Sequence, residues 1–196
     1  MSKSGFSTRV LTTLALLTAL EIVLSRFLSI NAWNTKIGFS FVPVVAAAIL
    51  YGPAAAGIVG ALGDFIGAIL FPIGAYFPGF TLTAFLTGCV FGLFLHRKEA
   101  IPVTPAEDGE VRKESVKEWL RILAAVGINQ LILSLFLNTL WISVLYGSPY
   151  LPLLATRLVQ CVIMTVVQIV CIRAMQRTIA RYRKKIAVVT PPSAQG

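Results

Sequence analysis

The sequence predicts an all-α integral membrane protein built from six transmembrane helices, and two observations lead to this class. Of the 196 residues, 57% are hydrophobic and 13% are charged, whereas a soluble domain usually carries about 25% charged residues. The charges are also uneven, since residues 10–96 contain four of them and residues 122–172 contain only Arg157. This composition excludes a soluble globular domain, a disordered chain and a disulfide-stapled secreted module.

Six apolar runs follow one another along the chain. They cover residues 8–30, 37–51, 54–71, 79–96, 119–146 and 150–178. Spanning a bilayer takes about 20 residues, so the second and third runs are short and are expected to tilt or to insert incompletely. Residues typical of turns separate most runs, at 31–34, 52–53, 72–79 and 146–149. We therefore predict one membrane domain over residues 1–185, with a polar cytoplasmic loop at 97–118 and a disordered tail at 186–196.

Lysine and arginine divide strongly between the two sides of this predicted topology. With both termini cytoplasmic, fourteen basic residues lie inside and only Arg26, Lys36 and Arg157 lie in the outer half. Such an excess on one side orients membrane helices, so we predict that both termini are cytoplasmic. The net charge of +9 is explained by this distribution, and nucleic-acid binding is not expected.

Five charges within the apolar runs, four toward the outer face and Glu21 deeper in the first helix, need a reason, because a charge at the centre of a membrane helix costs about 2.5–3.5 kcal/mol. Arg26, Lys36 and Arg157 are basic, and Glu21 and Asp64 are acidic. One interpretation is a set of internal salt bridges, with Lys36 reaching the interface. The other is an outward-facing pocket whose surplus positive charge favours an anionic solute. Glu21 and Asp64 are interpreted as structural partners.

Helical spacing places further polar groups on two faces. Ser134, Asn138, Trp141 and Leu145 recur on one face of the fifth helix, and Arg157, Gln160, Met164 and Gln168 recur on one face of the sixth. These faces suit a binding site, but interhelical hydrogen bonds between amide side chains are an equally good explanation for the two glutamines. For Asn138 and Trp141 we favour the site.

Aromatic and small residues suggest two further roles. The loop at 71–80 contains Tyr76 and Phe77 among prolines and glycines, and we interpret it either as an aromatic anchor in the headgroups or as a lid that stacks on a planar ligand. Ala15 and Ala19 form an AxxxA pattern that could face a partner subunit, whereas Gly60, Gly63 and Gly67 are expected to pack internally.

Catalytic and metal-binding patterns are absent from the sequence. The chain has one histidine, no CxxC pair among its three cysteines and no P-loop. We therefore expect neither an enzyme nor a bound metal or cofactor. An intramembrane enzyme would need acids clustered at one depth, where only Glu21 and Asp64 are candidates. A channel or stand-alone secondary transporter is a further alternative, and it would work without ATPase and coupling subunits.

Several motifs in order along the chain resemble one membrane family. They are Ala15 with Ala19, residues 36–43 and 51–53, the positions Gly57, Gly60, Asp64 and Gly67, residues 72–81, and Gly88 with Gly92. Over about residues 8–180 the chain resembles the substrate-binding S components of energy-coupling factor (ECF) vitamin transporters. The stretch at 72–81 is similar to the folate-specific (FolT) branch.

The resemblance implies a six-helix, multi-pass protein of the bacterial cell membrane that binds folate from outside. It also implies assembly with a transmembrane coupling subunit, EcfT, through Ala15 and Ala19, and with two cytoplasmic ATPases that use the ATP. The S component would deliver the vitamin inward by reorienting in the membrane.

Folate has two carboxylates and a flat pterin, which fit the candidate ligand-binding residues. Arg26 and Arg157 would pair with carboxylates, Asn138 would bind the pterin edge, and the stacking surface would come from aromatic side chains. The complete predicted set is Arg26, Trp33, Lys36, Tyr76, Phe77, Asn138, Trp141 and Arg157. Pantothenate, biotin and niacin are also anionic and remain alternative ligands.

Overall fold

The described part of the chain is a bundle of six helical spans. The computed structural model describes residues 8–32, 35–96 and 108–189, with side chains except those of 30–32, 35–36, 108–115 and 180–189. The helices are α1 (Thr8–Arg26), α2 (Phe41–Tyr51), α3 (Pro53–Leu70), α4 (Pro78–Leu95), α5 (Asp108–Gly127), α6 (Asn138–Tyr146) and α7 (Tyr150–Val189). A π-helical segment, Ile128–Leu137, joins α5 to α6, and we call this continuous helix span five. Five spans are long and apolar enough to cross a membrane, and α2 is a shorter apolar helix.

A β-hairpin replaces the ends of the first two predicted helices. β1 (Ser29–Ala32) and β2 (Thr35–Gly38) pair antiparallel, with Ser29 opposite Gly38. The helix predictions for residues 29–30 and 37–40 were therefore wrong, because α1 ends at Arg26 and α2 begins at Phe41. Periodicity cannot distinguish a short apolar strand from a helix end, and the pairing of two strands satisfies backbone groups that would otherwise need helical partners.

The polar segment at the start of α5 and the polar segment at the end of α7 contain more helix than the sequence predicted. α5 begins at Asp108, so the predicted loop at 97–118 is helical from that residue onward, and residues 97–107 lie outside the described part. Glu118 in α5 is held by Arg173 of α7 at 3.0 Å. α7 extends to Val189, so residues 186–189 are not a disordered tail; residues 190–196 lie outside the described part.

Two glycines and two prolines define the sharp turns between spans. Gly52 has φ +89° and Gly147 has φ +63°, a region that residues with a side chain rarely adopt. Pro53 and Pro78 stand in the first turns of α3 and α4, where the missing N–H leaves no intrahelical bond unmade. These turns reverse the chain tightly enough for consecutive spans to pack antiparallel.

The tightest packing lies between α3 and α4, where glycines bring the two backbones together. A Cβ at Gly60 would lie 2.7 Å from the Ala84 carbonyl oxygen, and a Cβ at Gly88 would collide with the Ala56 backbone. The glycine stripe predicted to pack internally therefore does so, and Gly60 is the member that packs against α4. Gly63 is covered instead by the carboxylate of Glu21 in α1, a residue that is 7% exposed.

Most of the buried apolar cluster lies toward one end of the bundle, and more than half of the buried polar side chains lie toward the other end. The hairpin, the loop at 71–77 and the turn at 147–149 lie at one end, which we call the hairpin end. The buried apolar cluster lies toward the opposite end and includes Leu14, Val59, Phe91, Ile122 and Ile172. Buried polar side chains are concentrated in the hairpin half, with further ones along span five and α7. This division leaves the hairpin end as the place for a polar site.

Candidate ligand-binding site

A chain of polar contacts links α1 to the loop at 71–77. Arg26, in the last turn of α1, donates from Nη2 to the Asp64 carbonyl at 3.3 Å, and the same nitrogen lies 3.8 Å from Asp64 Oδ1. Asp64 Oδ2 accepts a hydrogen bond of 2.8 Å from Thr81, whose hydroxyl lies 3.3 Å from the Tyr76 hydroxyl. The loop tyrosine is thus connected to the guanidinium through three consecutive contacts.

Arg26 is held close to the α3 backbone because residue 67 is a glycine. A Cβ at Gly67 would lie 2.7 Å from Arg26 Nε. The Arg26 side chain is 10% exposed and that of Asp64 is 25% exposed, so the pair is largely withdrawn from solvent. Asp64 is therefore a structural partner, as its sequence position suggested.

An aromatic pair lies beside this chain, at the start of α4. The rings of Phe77 and Trp141 have centroids 5.5 Å apart and are tilted by 43°. Trp141 Nε1 donates to the Thr83 hydroxyl at 3.1 Å, and Thr83 donates in turn to the Gly79 carbonyl at 2.9 Å. Both rings contact the Gly79 backbone so closely that a Cβ there would lie 2.6 Å from each. The indole is therefore fixed in orientation before any ligand binds.

Arg157 forms a second basic group, on α7. It is 5% exposed, and its Nη2 donates to the Ser134 carbonyl of the π-helical segment at 3.3 Å. Among the described residues no carboxylate pairs with it, in contrast to Arg26. One turn beyond Ser134, the buried amide oxygen of Asn138 has no hydrogen-bond partner within the described residues. Arg157 thus carries a charge that no described carboxylate neutralises.

The structure brings together most of the predicted site residues that it describes. Arg26 and Tyr76 are joined through Asp64 and Thr81, and Phe77 contacts Trp141. Arg157 and Asn138 lie on adjoining helices through Ser134. The side chains of two predicted site residues are not described by the structure. Trp33 lies outside the described residues, and Lys36 is described only by its backbone, which pairs with Asn31 in the hairpin.

The helical face predicted from Ser134, Asn138, Trp141 and Leu145 does not hold through the π-helical segment. That face assumed 3.6 residues per turn, whereas a π-helix closes i→i+5 bonds and turns less per residue. Ser134 therefore offers its backbone carbonyl to α7, while Trp141 reaches α4. A change of register inside a continuous apolar helix has no signal in composition.

Sequence reasoning missed Thr81 and Thr83, which connect the site. They stand two residues apart in the first turn and a half of α4, immediately after the aromatic loop. Hydroxyls at this position in an otherwise apolar helix could have been recognised as partners for Asp64 and Trp141. Their roles depend on contacts with residues 17 and 58 positions away in the sequence, which spacing alone does not reveal.

The AxxxA pattern lies on the outer surface of the bundle. Ala15 and Ala19 are exposed, whereas Leu14, Thr18 and Glu21 on the other side of α1 are buried. Exposed Leu11, Leu16 and Val23 also lie on α1. This side of α1 therefore has no partner within the described residues of the chain.

Comparison with known proteins identifies the family. A family model described as "ECF-type riboflavin transporter, S component" matches residues 5–180. The chain belongs to this family of S components. Two relatives bear the name "Folate transporter FolT". The protein from Clostridium novyi (strain NT) is 43% identical over 151 residues, covering 77% of this chain and 78% of the relative. The protein from Leuconostoc mesenteroides is 31% identical over 169 residues, covering 83% and 81%.

Solved structures of S components share this fold. "Crystal structure of FolT bound with folic acid" matches with a TM-score of 0.74 at 30% identity, covering 88% of this chain and 95% of that one. A biotin S component matches with a TM-score of 0.60 at 18% identity, covering 90% and 95%, which is a likeness of fold alone. The predicted all-α six-helix membrane fold and the predicted family are confirmed. The S component is a multi-pass membrane protein of a transport family.

Proposed function

We propose that this S component binds folate from the outer face of the membrane for an ECF-type importer. The observation that carries the proposal is the similarity to two proteins named folate transporters and to a FolT structure bound with folic acid. The similarity covers 77–88% of this chain. The family model bears a riboflavin description, which makes riboflavin a necessary competitor in any test.

The chemistry of the site supports folate. Folate carries a flat pterin at one end and two carboxylates on the glutamate at the other. The Phe77–Trp141 pair and the neighbouring Tyr76 provide fixed aromatic surfaces against which a planar ring can stack. Arg157 and Arg26 provide guanidinium groups, which bind carboxylates through charge-assisted hydrogen bonds. The unpartnered oxygen of Asn138 can accept a hydrogen bond from the amino group of the pterin.

The hairpin end is the outer end in this proposal. Fourteen of the seventeen basic residues then lie on the cytoplasmic side, together with both termini. The loop at 71–77 covers the site from outside, and Tyr76 links this lid to Arg26 through Thr81 and Asp64. Lys36 belongs to the second strand of the hairpin by its backbone, and Lys36 and Trp33 stay in the proposed ligand-binding set on their sequence positions.

Transport requires partners in this proposal. The S component docks onto the transmembrane coupling subunit EcfT through the exposed Ala15–Ala19 face of α1, where small side chains allow close helix contact. Two separate cytoplasmic ATPases hydrolyse ATP, and the S component reorients to carry folate inward. The chain itself catalyses no reaction and needs no cofactor.

A ligand titration tests the proposed function. The purified, ligand-stripped chain is titrated in detergent with folic acid, riboflavin, pantothenate, biotin and niacin, by calorimetry and by tryptophan fluorescence. We expect saturable, tight binding of folic acid alone, with quenching of the tryptophan fluorescence. Tight binding of another vitamin would replace folate as the ligand, and binding of none by a folded sample would contradict the proposal.

The Arg26–Asp64 pair allows a second test of the site. Arg26→Ala is expected to weaken folic acid binding by about tenfold, the value of roughly 1.4 kcal/mol for one charge-assisted hydrogen bond. Asp64→Asn serves as the matched control, because it breaks the same ion pair while leaving the guanidinium for the ligand. We expect Asp64→Asn to keep or increase the affinity, measured by calorimetry. Equal losses in both variants would show that Arg26 acts only through the ion pair.

A further inference from the structure

Thr83 stands where α4 meets Trp141 of α6, and its side chain is almost completely enclosed. The residue is 3% exposed. Its hydroxyl oxygen lies 2.9 Å from the Gly79 carbonyl oxygen and 3.1 Å from Trp141 Nε1. Both distances are those of ordinary hydrogen bonds. A single hydroxyl therefore joins the backbone of α4 to an indole that follows 58 residues later in the chain.

The direction of both hydrogen bonds follows from the chemistry of the partners. A carbonyl oxygen can only accept a hydrogen bond, and an indole N–H can only donate one. Thr83 has one hydroxyl proton and gives it to the Gly79 carbonyl, so it acts as the acceptor toward Trp141. The indole proton of Trp141 is therefore used within the protein.

Gly79 constrains the same indole a second time. A Cβ at Gly79 would lie 2.6 Å from Trp141 Cδ2 and 2.7 Å from Trp141 Cε2, so the bond shared by the two indole rings lies against the α4 backbone. Phe77 is close to the same point, with its ring centroid 5.5 Å from that of Trp141. Because the N–H and the shared bond are both occupied, Trp141 can offer a ligand only the remaining carbon atoms of its ring.

Thr81 shows that the two threonines of this turn have separate roles. It stands two residues before Thr83, and its hydroxyl donates to Asp64 Oδ2 of α3 at 2.8 Å. The aromatic side chain beside the Thr81 hydroxyl is Tyr76, at 3.3 Å. Thr81 and Thr83 thus contact different aromatic residues, and a change at Thr81 can serve as the control for the same change at Thr83.

Removal of the Thr83 hydroxyl would change what Trp141 can recognise. A donor that loses its partner in the interior is unfavourable, so the indole would gain by turning its N–H toward another acceptor. An acceptor atom on a bound ligand would be such a partner, and Trp141 would then select for it. With Thr83 in place the N–H is already paired, and this selection is absent.

We propose that Thr83 is a positioning residue that withholds the Trp141 N–H from the ligand, so that Trp141 recognises the ligand by ring contact alone. The inference rests on the proposed function, since it concerns Trp141 as a ligand-binding residue. Acceptor atoms of the ligand are left to the guanidinium groups, such as that of Arg157, which are strong donors. Trp141 then favours a flat ring whatever polar atoms the edge of that ring carries.

Nuclear magnetic resonance of the ligand-free, full-length chain in detergent tests the positioning role. The chain has three tryptophans, so isotope-labelled tryptophan gives three indole signals, and Trp141→Phe identifies the signal of Trp141. We expect Thr83→Val, or Thr83→Ala should the valine variant not fold, to move the Trp141 indole proton to higher field, because its hydrogen bond is lost. Thr83→Ser keeps the hydroxyl and should keep the signal in place.

Thr81→Val is the matched control for this measurement. It makes the same chemical change two residues away and should leave the Trp141 indole signal in place, because the Thr81 hydroxyl contacts Asp64 and Tyr76 instead. If the Thr83 variants moved the signal no further than Thr81→Val does, the proposal would be overturned.

A double-mutant cycle with folic acid tests whether the N–H reaches the ligand. Thr83→Val is expected to weaken binding about fivefold, because it removes one hydrogen bond that holds the indole. Trp141→Phe removes the donor of that bond together with ring area, so its effect should be about fivefold smaller in the Thr83→Val background than in the unchanged chain. Equal effects of Trp141→Phe in the two backgrounds would overturn the proposal. Failure of every variant and of the unchanged chain to bind folic acid would contradict the proposed function instead, and the ligand-free spectra would still decide where the N–H is bound.

Discussion

Gly88→Ala is expected to destabilise the protein severely, by about 3 kcal/mol or more, the upper range for overpacking in a close-packed interior. The added methyl group would collide with the backbone of Ala56 and Gly57 in α3, and backbone cannot move aside as a flexible side chain can. We expect a large loss of monodisperse protein after detergent extraction and a lower midpoint of thermal unfolding.

Gly127→Ala provides the matched control for this effect. The chemical change is identical, but the new methyl group meets nothing within 4 Å. Alanine is favoured over glycine in helices by about 1 kcal/mol, so the stability of Gly127→Ala should equal or exceed that of the unchanged protein. If the two variants had the same unfolding midpoint, the α3–α4 backbone contact would not limit the stability of the bundle.

Ala15→Trp is expected to abolish ATP-driven uptake while leaving folic acid binding unchanged. The indole would project from the exposed side of α1, where the proposed docking needs the small side chains of Ala15 and Ala19. The proposed ligand site lies in the hairpin half of the bundle, around Arg26 and Trp141, so binding should not be affected. Uptake of labelled folate is measured in cells or liposomes that contain the coupling subunit and both ATPases.

Val162→Trp on α7 is the control for the docking prediction. It places the same bulky group at a position that is 61% exposed on another side of the bundle, and it should keep both binding and uptake. Normal uptake by Ala15→Trp would exclude the docking role of this face. Loss of folic acid binding in Ala15→Trp would instead indicate a damaged fold.

Several residues of the candidate site stood out in the sequence because charged and aromatic residues are conspicuous in an apolar chain. Arg26 and Asp64 stood out for this reason, and the structure shows them as a pair. Phe77 and Trp141 stood out as aromatics, but their contact joins a loop to a span 64 residues later. Thr81 and Thr83 were missed, since a threonine in a membrane helix normally bonds its own backbone, as Thr83 does with Gly79.

The sequence by itself determined the class of protein, the six spans and the positions of most turns. Hydrophobic transfer adds residue by residue, so a window of about 20 residues contains most of the information about insertion. The turns at Gly52 and Gly147 are local features as well, because they depend on the positive φ angles of these two glycines. The internal packing of the glycines in α3 followed from their spacing of three to four residues.

Only the tertiary structure decided the hairpin, the π-helical register and the partners of the buried polar groups. Pairing of β1 with β2 and donation from Arg157 to the Ser134 carbonyl depend on segments that meet in space. The free energy of such contacts depends on geometry and on competing partners, and two sequences of equal composition can differ in both. The same reason explains why Arg26 and Arg157, alike in sequence context, differ in the folded chain: Asp64 neutralises one, and no described carboxylate neutralises the other.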